Sequence, residues 1–371
     1  MTSPTERSSG RRRSAVRSMS SSSSHSKVLV GNVHIMMAYA FRSLSRIDDA
    51  PLATTKFEHI HDLLADIVAR ETTQQVKRGL DHNYLEKASE LATVRGRVDL
   101  QESIRTRSVT RGTLVCRYDE YLADTPVNQA VRATVLMLAR SEQVAAPRRD
   151  ALARLLPFFS GVRAVPPRTI RWSDLRLHRA NASYRWLLGA CELAVKGLLP
   201  ADGSGDALLP WLSDEAMSTL FERFVKEYFR FHHPQLGARA ALVPWDVDAR
   251  GDYGAVGQIQ LPTMRTDITL QREDALLIID TKYYRSSMQI SQFGTRSLHS
   301  GNLYQISAYV QHASALHDQV SGLLLYARTN GPVQPDLDAV LAGHRIGAST
   351  LDLTKPWAQL QEQLEGLLLR F

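Results

Sequence analysis

The sequence predicts an α/β protein built from two unlike parts: a mainly helical α+β part, then a part in which helices and strands alternate. Apolar residues recur at helical spacing through much of residues 28–199. Prolines and glycines crowd residues 200–210, which is typical of a domain boundary. After that boundary the predicted order is helix, strands, helix, strand, and 371 residues are enough for two domains.

The N-terminal part, residues 28–200, is expected to open with helices and to contain one extended region. Turn-rich sequence between residues 93 and 118 indicates short strands there. Pro126 suits the first turn of a helix, because the N–H that proline lacks has no helical partner at that position. The predicted helices cover residues 33–44, 57–68, 126–140, 150–156 and 184–198.

The C-terminal part, residues 210–371, contains the clearest helical pattern of the chain, at residues 213–231. Ser213 can cap this helix, and the apolar side chains of the helix recur on one face. The remaining predicted elements are strands at residues 266–270, 275–282, 322–327 and 345–353, and helices at residues 302–316 and 357–369.

Composition limits the classes of function. The formal net charge of +7 suits a polyanionic partner such as nucleic acid, although a basic solvated surface gives the same charge. Two cysteines are too few for a disulfide framework or a cysteine-built zinc site, which favours a reducing cytoplasm. No apolar run reaches the roughly 18 residues of a membrane span, so no membrane partner is expected.

The first 27 residues differ from the rest of the chain. They are rich in arginine and serine and contain almost nothing apolar, so they cannot bury enough surface to offset the entropy cost of ordering. They also lack the apolar core of a secretory signal. We therefore predict a disordered tail over residues 1–27.

Two predicted strands joined by a polar turn place three charged side chains on one face of a β-hairpin. If the turn is centred between Glu273 and Asp274, then Asp267 faces Asp280 across the strands, with Cβ atoms about 4.5–5.5 Å apart. Lys282 points to the same side as Asp280, because strand side chains alternate between faces. A slip of one residue in this register would separate the three groups.

These charged groups suit a metal site. The apolar run Leu276–Ile279 indicates a strand buried on both faces, so the Asp280 charge at its end needs a partner or a metal ion. Two neighbouring carboxylates suit Mg²⁺, which activates water and neutralises phosphate charge, and Lys282 can stabilise the same charge. An incidental surface pairing of aspartate and lysine fits this spacing equally well, and spacing alone leaves both interpretations open.

Three residues on the flanking helices extend the candidate site. Gln305 and Tyr309 are four residues apart on the following helix and therefore share one face. Glu222 lies on the preceding helix, from which a third carboxylate can approach a metal held by Asp267 and Asp280. Each also has a plain structural interpretation: a helix–sheet contact for the first two, and a solvated side chain for the glutamate.

Several strings in the sequence resemble the McrC family, the nuclease subunit of the McrBC modification-dependent, 5-methylcytosine-specific restriction system. Many nucleases share D…(D/E)xK, but the full set in this order is highly specific and covers nearly everything after the tail. The strings are Ala38–Ala40, Gly96–Asp99, Asp124–Asn128, Pro244–Asp246, Leu261–Thr269, Ile278–Tyr284 and Asn302–Gln305.

The resemblance implies a PD-(D/E)xK nuclease domain, a mixed sheet flanked by helices, over residues 210–371. Asp267, Asp280 and Lys282 would be its catalytic residues, with Mg²⁺ as the cofactor. Gln305 and Tyr309 match the Q-x-x-x-Y element of some related nucleases, which implies that they belong to the catalytic site.

The chain departs from the family pattern at one position. Thr266 stands where the PD consensus has proline, a position that mainly concerns backbone shape. Acidic residues at the place of Glu222 vary among such nucleases, so the resemblance gives little support to the proposed metal-ligand role of Glu222.

The resemblance also implies a partner, a hexameric AAA+ GTPase of the McrB type. That partner would recognise the modified base in double-stranded DNA and translocate it using GTP, while the McrC-like chain docks on the ring and stimulates hydrolysis. This sequence has no G-x-x-x-x-G-K-[ST] phosphate loop, so GTP would be bound by the partner. Residues 28–200 would form the docking domain, and the region Arg95–Tyr118 is expected to contribute to the contact.

Three functions remain open on the sequence. The leading hypothesis is a Mg²⁺-dependent endonuclease subunit that cleaves modified DNA together with a GTPase motor. The second is a chiefly regulatory subunit that activates an AAA+ motor. The third is a stand-alone nuclease for branched or damaged DNA.

Overall fold

The computed structural model describes residues 30–49, 57, 59–199, 212–246, 260–284, 286–290 and 294–371. The chain divides into two compact units. Unit 1 comprises the described residues within Met1–Leu63 and Trp211–Phe371, and unit 2 those within Leu64–Pro210. The predicted tail (1–27) and the predicted domain boundary (200–210) lie outside the described residues.

The helices and strands are numbered here along the chain. The helices are α1 (residues 30–40), α2 (Ile60–Arg78), α3 (Leu100–Arg105), α4 (Pro126–Arg140), α5 (Ala146–Ala153), α6 (Arg185–Leu198), α7 (Asp214–His232), α8 (Ser300–Ala313) and α9 (Trp357–Gly366). The strands are β1 (Asn83–Leu91), β2 (Arg97–Val98), β3 (Leu114–Leu122), β4 (Leu242–Val243), β5 (Met264–Arg265), β6 (Ile268–Arg272), β7 (Ala275–Lys282), β8 (Gln289–Ile290), β9 (Arg296–Ser297), β10 (Gln319–Ala327), β11 (Leu337–Leu341) and β12 (His344–Leu351). None of the helices described is long and apolar enough to cross a membrane.

The division into units differs from the predicted one at the start of the chain. Residues 28–200 were expected to form one domain, but α1 belongs to unit 1 together with the C-terminal part. Asn32 on α1 donates from Nδ2 to the carbonyl oxygens of Leu353 (2.6 Å) and Lys355 (2.8 Å). The Tyr39 ring packs beside that of Trp357, with ring centroids 5.7 Å apart. Helical periodicity identifies the apolar face of α1, but it does not identify the surface that this face covers.

Unit 2 contains a small antiparallel sheet of three strands in the order β1-β3-β2, together with α3 to α6. The extended region predicted at residues 93–118 is only partly strand, because α3 interrupts it. Asp99 starts this helix by accepting a hydrogen bond from the backbone N–H of Glu102 at 3.0 Å, and it also pairs with Arg117. A short helix with exposed apolar side chains has no amphipathic pattern that the sequence could reveal.

The string Asp124–Asn128 has a structural role in unit 2. Thr125 caps α4 by accepting from the N–H of Asn128. The Asn128 side chain is fully buried, and its Nδ2 donates to the carbonyl oxygens of Asp81 (2.7 Å) and Ala123 (2.8 Å). The Tyr184 hydroxyl donates to its Oδ1 at 3.1 Å. One amide thus satisfies backbone groups from separate segments, which fixes how they pack.

Gly96 allows the close packing of β2 against β3, and its replacement by alanine should be strongly destabilising. Its φ is +68°, and a Cβ there would overlap the carbonyl oxygen of Arg117 and lie 2.8 Å from the Cβ of Tyr118. We expect Gly96→Ala to lower the free energy of unfolding by about 3 kcal/mol, because left-handed strain and overpacking add.

Gly112 provides a matched control for this prediction. Its φ is +70°, but no atom lies within 4 Å of the position that a Cβ would occupy. Gly112→Ala should therefore cost only the backbone term, about 1 kcal/mol. Denaturant unfolding of both variants measures the difference, and equal losses would show that the Arg117 backbone is not rigidly placed.

Unit 1 contains a five-stranded mixed sheet in the order β11-β12-β10-β7-β6, which makes the protein a mixed α/β fold. The pairs β7–β10 and β10–β12 are parallel, whereas β6–β7 and β11–β12 are antiparallel. Helix α8 connects β7 to β10 and packs on the sheet at Gly322, where a Cβ would lie 2.7 Å from Val310 and 2.8 Å from Ile306. This close approach brings the α8 side chains to the carboxyl end of β7.

The predicted elements of the C-terminal part are present, with shifts of a few residues at their ends. The strand predicted at 275–282 coincides with β7, and the helix predicted at 213–231 is α7. The edge strand β11 was not predicted. Its residues alternate between half-buried and exposed, and only its pairing with β12 identifies it as a strand.

Candidate active site

The β6–β7 hairpin has the register that the sequence predicts. Ile268 pairs with Ile279 and Arg272 with Ala275, which leaves a two-residue turn at 273–274. The same register, continued by one residue, places Asp267 opposite Asp280. Strand β7 lies between β6 and β10, and residues 276–281 are all buried. The hypothesis of an incidental surface pairing therefore does not fit, because the aspartate belongs to a central strand.

Asp280 and Lys282 form a buried ion pair at the carboxyl end of β7. Asp280 is only 1 % exposed, and its Oδ2 lies 2.6 Å from Nζ of Lys282. Within the described part of the chain, this oxygen accepts no other hydrogen bond. A buried carboxylate oxygen with one cationic neighbour still has the capacity to coordinate a metal ion.

Asp267 is held rigidly against the end of β7. Its Oδ2 accepts hydrogen bonds from both the backbone N–H and the hydroxyl of Thr281, each at 2.8 Å. These bonds fix the carboxylate beside that of Asp280, and the proximity is visible in the electrostatic effect of Asp267 on its neighbour. Sequence reasoning did not identify Thr281, although a hydroxyl between the two site residues of D-x-K was the available signal.

The structure brings Gln305 and Tyr309 to the site, in a chain of hydrogen bonds that begins at Lys282. Nζ of Lys282 donates to Oε1 of Gln305 at 3.1 Å, and Nε2 of Gln305 donates to the Tyr309 hydroxyl at 2.9 Å. That hydroxyl donates to the carbonyl oxygen of Arg265 at 3.0 Å. The chain of bonds connects the lysine on β7 to the backbone just before Asp267, so α8 orients both sides of the site.

Glu222 lies near the site but is paired elsewhere. Its Oε1 is 2.8 Å from Nζ of Lys226, one turn further along α7. Its negative charge nevertheless acts on Asp280 and contributes to the raised pKa of that carboxyl. Among the residues that the structure describes, no group of three or more His, Cys, Asp or Glu side chains is arranged to hold a metal ion. The structure thus brings the two aspartates together, and Glu222 does not complete a three-carboxylate group.

A second hydrogen-bonded group borders Lys282 and was missed at the sequence level. Nδ2 of Asn302 donates to the hydroxyl of the buried Tyr326 at 3.0 Å, and the Tyr284 hydroxyl donates to Oδ1 of Asn302 at 3.3 Å. Tyr326 is the β10 partner of Lys282 in the parallel register. Asn302 belongs to the string 302–305 that resembles the McrC family, which was the available signal.

Thr266 has a structural reason to replace proline. Its N–H donates to the carbonyl oxygen of Ala241 at 2.9 Å, and its hydroxyl accepts from the N–H of Ala241 at 3.0 Å. Its Oγ1 also lies 2.8 Å from Oγ1 of Thr269. A proline at this position would lose the N–H and the hydroxyl, and both hold the segment before Asp267.

Burial controls the protonation of the site. Desolvation raises the pKa of Asp280 to about 6; the charge of Lys282 opposes this, and those of Asp267 and Glu222 add to it. Burial by itself disfavours the Lys282 ammonium, but the adjacent Asp280 outweighs that effect and raises the pKa of the lysine. The lysine is therefore charged at neutral pH, and the aspartate is mostly ionised there and protonated only as pH falls through about 6.

The raised pKa of Asp280 predicts a pH-dependent stability of the metal-free protein. A carboxyl whose pKa rises from 3.8 to about 6 on folding holds its proton more tightly in the folded chain. Its stabilising contribution is complete below about pH 3.8 and is lost as pH rises through about 6. Relative to Asp280→Asn, the free energy of unfolding of the wild type should fall by about 2 kcal/mol between about pH 4 and about pH 8.

Urea unfolding of both proteins in EDTA, across that pH range, measures this difference. Subtracting the asparagine variant removes the contributions of the other titrating groups. Adding Mg²⁺ near the upper end of the pH range should restore the stability of the wild type and leave that of the variant unchanged. A difference between the two proteins that does not change with pH would contradict the assigned pKa.

The fold and the site together define a mixed α/β protein with an aspartate–aspartate–lysine site at the end of a central strand. The family model for a component of the McrBC 5-methylcytosine restriction system matches residues 21–327. Because this match covers most of the chain, the chain belongs to the McrBC family.

One relative is similar over most of the length of both chains. The chain is 26 % identical over 341 residues to the type IV methyl-directed restriction enzyme EcoKMcrBC of Escherichia coli K12, covering 90 % of this chain and 95 % of the relative.

Two solved Thermococcus gammatolerans structures are more distantly similar. The first, a half-complex of McrB AAA+ hexamers with bound McrC, has 17 % identity and a TM-score of 0.43, covering 83 % of this chain and 67 % of that chain. The second, a McrBC complex, has 19 % identity and a TM-score of 0.39, covering 55 % of this chain and 60 % of that chain.

Proposed function

We propose that this chain is the endonuclease subunit of a GTP-dependent McrBC-type restriction complex, and that it cleaves methylated or otherwise modified DNA. The observation that carries the proposal is the convergence of Asp267, Asp280 and Lys282 at the end of β7 in a chain of this family. A central strand carrying D-x-K, with an aspartate immediately before its antiparallel neighbour, supports a PD-(D/E)xK nuclease within unit 1.

The two aspartates would hold Mg²⁺. Their oxygen atoms are the hard ligands that this ion prefers, and the Asp280 oxygen with one cationic neighbour fits such a group. When bound, Mg²⁺ polarises the phosphodiester and lowers the pKa of a coordinated water. Glu222 remains a proposed third ligand, and it would have to exchange its Lys226 partner for the metal or a metal-bound water.

Lys282 is positioned to stabilise the phosphate during hydrolysis. In this reaction the oxygen of water bonds to phosphorus, one P–O ester bond breaks, and negative charge increases on the phosphate oxygens. The Lys282 ammonium is charged and partly buried, so its interaction with that charge is strong. Gln305 fixes the ammonium from the α8 side, and Tyr309 in turn fixes Gln305.

We further propose that the partner is a hexameric AAA+ GTPase of the McrB type, which would use the GTP. Family membership and the missing phosphate loop in this sequence support that division of labour. We assign docking to unit 2, which contains most of residues 28–200, the region predicted to dock on the ring. The exposed apolar side chains of Leu100, Ile104 and Val109 lie within the region predicted to contact the ring, and they support that role.

Reconstitution tests the proposed function. The purified chain, an McrB-type GTPase from the same organism, methylated duplex DNA, GTP and Mg²⁺ together should give cleavage, and omission of any one should abolish it. Cleavage by the chain alone with Mg²⁺ would instead favour a stand-alone nuclease. Stimulated GTP hydrolysis without any cleavage would favour a purely regulatory subunit.

A further inference from the structure

Positive charge is concentrated in two segments of the chain, the first 27 residues, with a formal charge of +5, and one segment of unit 2. Residues 146–185 contain nine arginines, no lysine or glutamate, and only two aspartates, so the segment carries a formal charge of +7. The whole chain also has a net charge of +7, so all residues outside this segment sum to zero. We refer to residues 146–185 as the arginine segment.

The arginine segment displays these side chains on an irregular but anchored backbone. After α5 it consists of 3₁₀ turns at Leu156–Phe159, Pro167–Thr169, Trp172–Asp174 and Arg179–Tyr184. Seven of the nine arginines are exposed: Arg154, Arg163, Arg168, Arg171, Arg176, Arg179 and Arg185.

Buried groups hold the arginine segment in place. Phe159 and Val162 are at most 2 % exposed, and the carbonyl oxygen of Val162 accepts a hydrogen bond from Arg132. The N–H of Arg163 donates to Oδ1 of Asp124 at 2.8 Å. His178 and the buried Asn181 form a reciprocal capping box. The backbone is therefore fixed while the guanidinium groups face solvent.

Most of these arginines pair with no acidic group that the structure describes. Within the described residues, Arg154, Arg163, Arg171, Arg176, Arg179 and Arg185 form no ion pair and no side-chain hydrogen bond. Arginines elsewhere differ, since Arg105, Arg111 and Arg230 each pair with a glutamate. Ordinary solvated surfaces intersperse charges of both signs, so a run of exposed and unpaired arginines indicates a polyanionic ligand.

We propose that the arginine segment is a docking surface for the phosphate backbone of double-stranded DNA. The proposal rests on the proposed function, because it names the surface by which unit 2 holds the substrate of the nuclease site. Guanidinium groups bind phosphate oxygens in bidentate fashion, and DNA presents one charge per roughly 1.7 Å of its axis. Interfaces with DNA are far more positively charged than interfaces between proteins, which favours DNA over an acidic protein surface.

The test measures binding of the full chain to a fluorescent unmodified duplex in EDTA, across a series of salt concentrations. The variant combines Arg171→Gln, Arg176→Gln and Arg179→Gln, all at exposed and unpaired positions. The control combines Arg105→Gln, Arg111→Gln and Arg230→Gln, which removes the same charge from paired arginines.

We expect the segment variant to bind at least about 10-fold more weakly, and its log–log salt slope to be shallower by about 2. The control should stay within about 3-fold of the wild type, since exposed paired arginines are already neutralised. The proposal would be overturned if the segment variant bound the duplex with wild-type affinity and salt dependence. It would also be overturned if the control weakened DNA binding as much as the segment variant does.

Two further measurements separate this inference from the nuclease assignment. Asp280→Asn should bind the duplex with wild-type affinity in EDTA. The binding result therefore does not depend on whether this variant cleaves DNA. Size-exclusion chromatography with the GTPase partner gives the second measurement. If the segment variant loses the partner but keeps its DNA affinity, the surface belongs to a protein contact and the proposal is wrong.

Discussion

Replacing Asp280 with asparagine should reduce cleavage of modified DNA by at least about 10³-fold, or about 4 kcal/mol of transition-state stabilisation. The carboxylate is buried in the central strand, 2.6 Å from Lys282, and asparagine keeps its shape without the charge that would hold Mg²⁺. Single-turnover cleavage by the reconstituted complex measures the loss. GTP hydrolysis by the partner should stay within about 2-fold of the wild-type rate, because docking is assigned to unit 2.

Asp274→Asn is the matched control for this prediction. Asp274 lies in the turn of the same hairpin and is exposed, so its replacement removes an equal charge without entering the site. The control should cleave at the wild-type rate. Substantial cleavage by Asp280→Asn would show that the nuclease site lies elsewhere, and a parallel loss of GTPase stimulation would indicate a folding defect.

Lys282→Met should lower the rate of the chemical step by about 10²–10³-fold and should change the KM for DNA by much less. Methionine preserves the apolar stem of lysine and removes only the ammonium, which is partly buried against Asp280 and held by Gln305. The interaction with phosphate strengthens as charge develops, so its loss affects kcat. Arginine should not restore the rate, because its planar guanidinium does not fit the contacts of a compact ammonium.

Lys226→Met provides the control for this second prediction. Lys226 lies on α7 and pairs with Glu222, outside the hydrogen-bond chain that begins at Lys282. Its loss should leave the cleavage rate within about 3-fold of the wild-type rate. If Glu222 is a metal ligand, the same variant should also bind Mg²⁺ more tightly, because Glu222 no longer pairs with Lys226. An increase in KM with an unchanged kcat in Lys282→Met would assign the lysine to DNA binding alone.

The hairpin at the centre of the site could be predicted because its constraints are local. The two-residue turn fixes the register, and the alternation of strand side chains then places Asp267, Asp280 and Lys282 on one side. The four-residue spacing of Gln305 and Tyr309 likewise fixes their common face on α8. The spacing does not reveal their hydrogen-bond partners. Gln305 accepts from Nζ of Lys282 at 3.1 Å, and Tyr309 donates to the carbonyl oxygen of Arg265.

Other features depend on contacts between distant parts of the chain. Tyr326 contributes to the site through the parallel pairing of β10 with β7, and no local pattern marks it. Thr281 had one local signal, its position within D-x-K, but its bond to Asp267 depends on the pairing of two strands. Helix α3 was missed because its apolar side chains face solvent. The close approach at Gly96 could not be predicted either, because the atoms that it contacts belong to Arg117 and Tyr118, on another strand.

The sequence by itself determined the family resemblance, through its motifs. It also determined the register of the β6–β7 hairpin and the faces of the helices, because these follow from turn length, side-chain alternation and helical spacing. Only the tertiary structure decided that α1 belongs to unit 1, and that Asp280 is desolvated enough to raise its pKa to about 6. It also decided that the arginine segment is anchored by buried groups. Burial and partner choice arise from segments far apart in sequence, and local periodicity carries no information about which surfaces meet.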